Sequence, residues 1–282
     1  MKKRVKKFSF FKMIQYMILT VSAIVALAPF YFMTVASFKP GRELLRKGMN
    51  FSLPAELMTL ENYALVFTGR DGVYLHWYKN SVLITLLFTV LSLVLTSMVG
   101  YGLAVYKFKG RNLIFTTVLV VMMIPVEILL IPLYKLTIFM RLVDTVWGVI
   151  LPFIVSPFAI FFFRQYVTGI SKDFRDAGRI DGCTEFGIYV KIMVPLMLPA
   201  FGAMTILQAM ASWNNYMWPL IVLRSNESFT LPIGLNTLIT PYGNSYDMLM
   251  PGALLSVLPM VIMYMLNQKA FISGLTIGGV KG

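Results

Sequence analysis

The sequence predicts an all-α polytopic membrane protein with six transmembrane helices and a polar helical segment between spans four and five. Three observations carry this expectation. First, 58% of the 282 residues are hydrophobic and only 13% are charged, about half the ~25% of a soluble domain. Second, the apolar residues gather into runs near the ~20 residues that a helix needs to cross a bilayer. Third, Lys and Arg are denser in alternate inter-span segments, the asymmetry that sets topology.

Taken in order, residues 1–13 form a basic N-terminus with Lys2, Lys3, Arg4, Lys6, Lys7 and Lys12 and no acid. The apolar run behind it is long and lacks a clear small-x-small cleavage site, so it reads as a retained first span, 14–37, rather than a signal peptide. Residues 38–79 are polar, with Pro40, Gly41, Pro54, Gly69 and Gly72, and read as an external loop with short helices. Span two, 81–106, ends in the basic turn Lys107-Phe108-Lys109-Gly110-Arg111. Span three, 113–134, contains Pro125, Glu127 and Pro132. Membrane helices tolerate proline where neighbouring groups satisfy the freed carbonyls, and the helix geometry is expected to break around Glu127. Span four, 146–166, carries Pro152 and Pro157; span five covers 196–223 and span six 248–266. Residues 14–266 thus make one six-span domain with a loop at 168–195, and 267–282 form a tail.

An even number of spans leaves both termini on one side. That side collects 16 of the 25 Lys and Arg, which places the termini and the 168–195 loop in the cytoplasm. The net charge of +13 is then a topology signal facing the lipid bilayer, with no nucleic-acid motif beside it. A lone Cys183 makes no internal disulfide, and a lone His76 makes no metal cluster. No P-loop, H-E-x-x-H, C-x-x-C or G-x-S-x-G occurs. Asp176 and Asp181, five apart, do not share a helix face. No catalytic, cofactor-binding or metal residues are expected, and the chain is not read as an enzyme.

The polar segment Ser171–Pro199 has its own logic. Ser171 is a plausible N-cap, with Asp173 in the first turn where the helix dipole favours acid. Phe174, Ala177 or Gly178, and Asp181 share a face. Gly182 interrupts the helix. Thr184 caps a second helix with Glu185 in its first turn, and Phe186, Tyr189 and Met193 make an apolar stripe. Pro195 suits the start of span five. An amphipathic loop lying on the bilayer surface is an equally physical reading.

Asp176-Ala177-Gly178-x-x-Asp181-Gly182-Cys183, followed by Ile192-x-x-Pro195-x-x-x-Pro199, resembles the EAA motif of bacterial ABC importer permeases, E-A-A-x-x-D-G-A with I-x-x-P and a further proline. More closely, the chain is similar to carbohydrate permeases of the maltose-transporter type. Tyr101-Gly102-Leu103-Ala104, Ile124-Pro125 with Ile131-Pro132, Leu151-Pro152, and Trp213-Asn214-Asn215-Tyr216-Met217-Trp218-Pro219 carry the resemblance along most of the chain. It departs where Asp176 replaces Glu and where Gly178 and Cys183 replace Ala, and Gly178 is expected to loosen the helix.

The resemblance implies a bacterial plasma-membrane permease for a carbohydrate, an oligosaccharide. It implies a homologous second permease, two copies of a cytoplasmic ATPase that carries the ATP and Mg, and an extracellular solute-binding protein. In that family the motif is a coupling helix docking on the ATPase, which assigns Asp176, Ala177, Gly178, Arg179, Asp181, Gly182, Cys183 and Glu185 to coupling. Polar residues within apolar runs are costly and belong inside the bundle or on a path; these are Asn80, Glu127, Gln208, Asn214 and Asn215. Glu127, Trp213, Asn214, Asn215, Tyr216 and Trp218 are the residues expected on a substrate path, because aromatic faces and amides suit a sugar. The alternatives are an interfacial aromatic belt, helix-to-helix polar glue for Glu127, and a secondary ion-coupled transporter using Glu127.

Overall fold

The computed structural model describes residues 10–47, 52, 55–240 and 245–279, with side chains described except at 47, 55 and 269–279. The basic residues from Lys2 to Lys7, Pro54 and Lys281 lie outside the described residues, and of Lys269 only the backbone is described. The described chain is helical. Three helices are long and apolar enough to cross a membrane, and six spans result if each of three bent helix pairs counts as one.

The chain divides into two compact units, Met1–Gly72 with Thr237–Val257, and Val73–Asn236 with Leu258–Gly282. The first unit holds α1 (Phe10–Ser37), α2 (Gly41–Lys47), α3 (Glu61–Thr68) and the start of the last helix. Only 6% of the most apolar window of α1 is buried, a surface that water does not tolerate and that lipid or another chain must cover. The polar loop after α1 is tied down by side chains. Asn62 donates to the Ser37 and Lys39 carbonyls at 2.9 and 2.8 Å, and the Ser37 and Tyr63 hydroxyls pair at 2.8 Å. The Gly41 backbone N–H donates to Asp247.

The second unit is built on α4 (Val73–Val105), which starts eight residues before the expected span because Val73, Tyr74 and Trp77 are buried at its N-terminal end. The next apolar run does not form one helix. It splits into α5 (Arg111–Val121) and α6 (Val126–Phe139), bent by 104°. The break lies before Glu127, at 122–125, where Pro125 is extended at ψ 129 and lacks the N–H that would continue the ladder. Pro132 stays inside α6.

Span four is also bent, by 48°, between the run from α7 (Val146–Ile150) through a tight turn at Leu151–Phe153, and α8 (Pro157–Thr168). Each half is capped: the Thr145 hydroxyl accepts from Gly148 N–H and the Ser156 hydroxyl from Ala159 N–H. The polar segment then forms α9 (Asp173–Ile180) and α10 (Glu185–Ile188), continuing through a π-helical turn at Tyr189–Met193 into α11 (Val194–Leu196). A 76° bend separates this run from α12 (Leu198–Trp213). Span five therefore ends at Trp213 rather than 223; Asn214–Tyr216 break the helix, and α13 (Met217–Val222) is separate. After α14 (Leu231–Asn236), α15 runs Tyr246–Gly279, so the expected tail continues the sixth helix.

One core of this unit joins Leu93 and Tyr101 of α4, Phe163 and Val167 of α8, Ile188 of α10, Met193 and Met197, and Ala200 and Met204 of α12. The polar segment is thereby rooted in the same core as three spans. A second core joins Ile84, Val149, Ile150, Trp218, Val222 and Ile233. Burial from lipid drives helix association little, so packing and polar links set the geometry, at about 0.6 kcal/mol per link. Gln208 donates to the Ser92 hydroxyl at 2.8 Å, and the Ser97 and Tyr189 hydroxyls pair at 2.8 Å.

Candidate functional site

The polar segment is a closed two-helix turn. Lys172 occupies the cap of α9 without a side-chain bond. Ser171 accepts the Asp173 N–H at 3.2 Å and donates to its carboxylate at 2.8 Å, a local turn two residues long instead of the expected N-cap. At the other end Gly182 has φ +77. Cys183 N–H donates to Gly178 O at 2.9 Å and Gly182 N–H to Arg179 O at 3.1 Å, the pair of bonds that closes a Schellman motif. Glycine is favoured there because other residues resist a left-handed backbone. Thr184 caps α10 as expected, accepting the Gly187 N–H at 3.1 Å.

Charges and packing brace the turn from opposite sides. Arg179 bridges it, 3.1 Å from Asp176 and 2.7 Å from Glu185. Tyr106, at the end of α4, donates to the same Glu185 carboxylate at 2.9 Å. The bond to Glu185 pushes the Arg179 guanidinium above its ordinary value. On the other side Gly178 is buried. A Cβ there would stand 2.6 Å from Ile192 Cδ1 and 3.1 Å from Ile188 Cγ1, so α9 lies against α10 and the π-helical turn more closely than alanine allows. Gly178 is thus a close-packing residue, whereas composition suggested only a looser helix.

The outward face is apolar in a way the sequence reading did not single out. Phe174 is 49% exposed, Ile180 86% and Phe186 66%. Phe186 therefore does not share the buried stripe of Tyr189 and Met193, although its ring stays 6.4 Å from that of Tyr189. The missed signal was an isoleucine in the last turn of an otherwise charged helix. Asp176, Ala177, Asp181 and Gly182 are exposed on this segment, and Cys183 is half-buried against the core.

A cavity of about 760 Å³ lies beside the second core, lined by both halves of the broken third span and by α4, α7, α8, α12 and α13. It receives Glu127, Asn215 and Trp218, together with Ser156, Gln208 and Ser212. Trp213, Asn214 and Tyr216 do not line it. Trp213 is buried edge-on to Tyr78, Asn214 caps α12 and donates to Met210 O at 3.0 Å, and Tyr216 packs on the second core. Trp218 is 2% exposed and donates to Gly148 O at 3.1 Å, so its indole shapes the wall. Asn80 sits elsewhere, donating to Glu227 O and Phe229 O.

Loops in this unit are pinned around Asp144, which takes a left-handed φ of 60. Burial works to raise its pKa. Hydrogen bonds from the Arg224 N–H and from the Ser225 hydroxyl and N–H prevail and hold the carboxyl below its ordinary value. Trp77 donates to Asn226 O at 2.8 Å and Ser81 accepts the Leu231 N–H at 2.8 Å, which fixes the segment from the α4 side.

Residues 92–275 match the family described as binding-protein-dependent transport system inner membrane component. The arabinooligosaccharides transport system permease AraQ of Bacillus subtilis is 52% identical, over 98% of each chain. Its namesake in Halalkalibacterium halodurans is 54% identical over 92% of this chain and 93% of its own. The lactose transport system permease LacG of Rhizobium radiobacter is 33% identical over 95% and 96%. Among solved structures, a chain of a bacterial ABC transporter involved in importing the acidic polysaccharide alginate superposes with TM-score 0.81 over 96% of this chain and 99% of its own, at 24% identity. That likeness is one of fold. The reading of an ion-coupled carrier working through Glu127 gains no support from these matches. The chain belongs to the inner-membrane permease components of binding-protein-dependent ABC transport systems.

Proposed function

We propose that this chain is one transmembrane half of an ATP-driven importer for an oligosaccharide, and that α9 and α10 transmit the ATPase stroke to the spans. The orientation follows from the bias of Lys and Arg, with both termini and the polar segment in the cytoplasm. The relatives named for arabinooligosaccharides, at 52% and 54% identity, point to arabinose oligomers as the substrate class. The partners are a homologous permease, two copies of a cytoplasmic ATPase that holds ATP and Mg, and an extracellular solute-binding protein. Asp176, Arg179, Asp181 and Glu185 form the polar rim of the ATPase contact, with Ala177 exposed among them. Gly178, Gly182 and Cys183 shape the turn, and Phe174, Ile180 and Phe186 are the apolar knobs that enter the partner.

The observation that carries this reading is mechanical. Helix α9 exposes apolar side chains outward while Gly178 locks it onto Ile188 and Ile192. Ile188 and Met193 belong to the same core as α4, α8 and α12. A push on α9 is therefore passed to three spans as a rigid-body motion. The test is arabinotriose uptake by cells carrying the full importer, with Ile180→Asp. Uptake should fall at least about ten-fold, because one charge in a buried contact costs more than 1.4 kcal/mol, while permease levels in the membrane stay unchanged. Undiminished uptake would show that α9 is not the contact.

A further inference from the structure

The cavity of about 760 Å³ lies within the ~300–1,000 Å³ range of small-molecule sites. Its polar groups are not equivalent. Ser156 is committed to capping α8 and Gln208 to Ser92. Glu127, Ser212 and Asn215 line the cavity and, among the described residues, make no side-chain hydrogen bond. Around them stand the rings of Phe88, Phe153 and Phe158. Few polar groups set among aromatic walls suit a ligand with hydroxyls on its edge and C–H surfaces on its faces. Among the described residues, no Lys, Arg or His lines the cavity, and Glu127 is its only ionisable acid. A cleft of one charge sign disfavours a ligand of the same sign, and here no cation would neutralise a bound carboxylate.

We propose that this cavity is a saccharide-contact site on this chain itself, selective for neutral sugars. Glu127, Ser212 and Asn215 hold hydroxyl groups against the aromatic walls, and Glu127 repels uronic acids. The proposal rests on the importer reading above and adds to it which subunit touches the sugar and what charge the path accepts.

The experiment uses membrane vesicles holding the complete importer and a diazirine-tagged arabinotriose as the photoprobe. The expected result is labelling of residues 121–133 and 208–218 that excess arabinotriose displaces and trigalacturonate does not. Ser212→Ala and Asn215→Ala should each cut that label about five-fold, the loss of one hydrogen bond. Glu127→Gln, which keeps the shape and removes the charge, should let trigalacturonate compete. Label confined to the second permease overturns the proposal while arabinotriose uptake continues. So does cavity label that arabinotriose cannot displace, the outcome if lipid chains or the second permease fill the space. Equal competition by trigalacturonate in the unsubstituted protein overturns the charge selection. If the complete importer takes up no arabinotriose at all, the arabinose-oligomer reading fails and the proposal, as tested with this sugar, falls with it.

Discussion

Arg179 Nε stands 2.7 Å from Glu185 Oε1 across the left-handed turn at Gly182. Both side chains are about half exposed, at 45% and 48%, so the pair is screened by solvent and holds geometry more than it stabilises. Its importance lies in connectivity, because Tyr106 of the α4 terminus reaches the same carboxylate. Glu185→Gln and Arg179→Ala are each expected to lower arabinotriose uptake by about two- to five-fold, the range of an exposed pair. The double variant should lose less than the sum of the two single losses, since the Arg179–Glu185 link is removed in all three, while Arg179→Ala also frees Asp176. Raised salt should mimic the loss in the wild type and not in the variants. Additive losses in uptake assays would mean that the two residues act separately.

Gly178 makes a second link, by contact. Alanine would gain about 1 kcal/mol of helix propensity but would drive a methyl group to 2.6 Å from Ile192 Cδ1. Overpacking costs about 1–3 kcal/mol, so Gly178→Ala should be destabilising by about 1 kcal/mol in a melting experiment on the detergent-solubilised complex. Ile192→Val removes the offending atom. Gly178→Ala with Ile192→Val should melt at or above the temperature of Ile192→Val alone. If Gly178→Ala by itself raises the melting temperature, α9 is not packed tightly on Ile188 and Ile192.

These two residues show what the sequence could and could not convey. Apolar runs and the Thr184 cap are local signals, and they located the helical runs, though not their breaks, and the start of α10. Proline was a poorer guide. Pro29 and Pro132 sit inside helices while Pro125 stands at a 104° break, because what decides is whether neighbours satisfy the freed carbonyls. The Trp213–Pro219 cluster looked like one sugar platform. The break at Asn214–Tyr216 turns Trp213 toward Tyr78 and Trp218 into the second core, so that Asn215 and one side of Trp218 reach the cavity while Trp213, Asn214 and Tyr216 do not. Gln208 was legible as a polar residue in a span, yet its partner Ser92 is 116 residues away, beyond the reach of any local pattern. Ser156 and Ser212 carried no signal, since nothing in a serine's neighbours tells which cavity it lines.

Asp144 gives a prediction in pH. Its carboxylate accepts the Arg224 N–H at 2.9 Å and the Ser225 hydroxyl at 2.8 Å, and its folded pKa lies below the ordinary 3.8. A depressed carboxyl contributes stability that is present above its unfolded pKa and lost as pH falls through the folded one. Asp144→Asn keeps an acceptor and tolerates the left-handed backbone, but loses the charge, so it should cost about 1 kcal/mol near neutral pH. Melting the wild type and Asp144→Asn side by side should show that gap closing as pH drops below 3.8. A gap that stays constant with pH would assign the loss to shape instead of charge.

Gly182 separates backbone strain from crowding. Its φ is +77, and a Cβ added there would meet nothing within 4 Å. Any loss on substitution therefore comes from forcing an L-residue into the left-handed region, about 1–2 kcal/mol for an ordinary side chain. Asn visits that region readily and β-branched residues do not. Gly182→Asn should retain most arabinotriose uptake, Gly182→Ala should retain less, and Gly182→Val should retain least, because the bonds from Cys183 to Gly178 and from Gly182 to Arg179 hold only if the turn keeps its hand. Uptake that instead followed side-chain size, with Ala best and Asn no better than Val, would mean that a partner covers this turn and that space, not backbone conformation, is what the glycine provides.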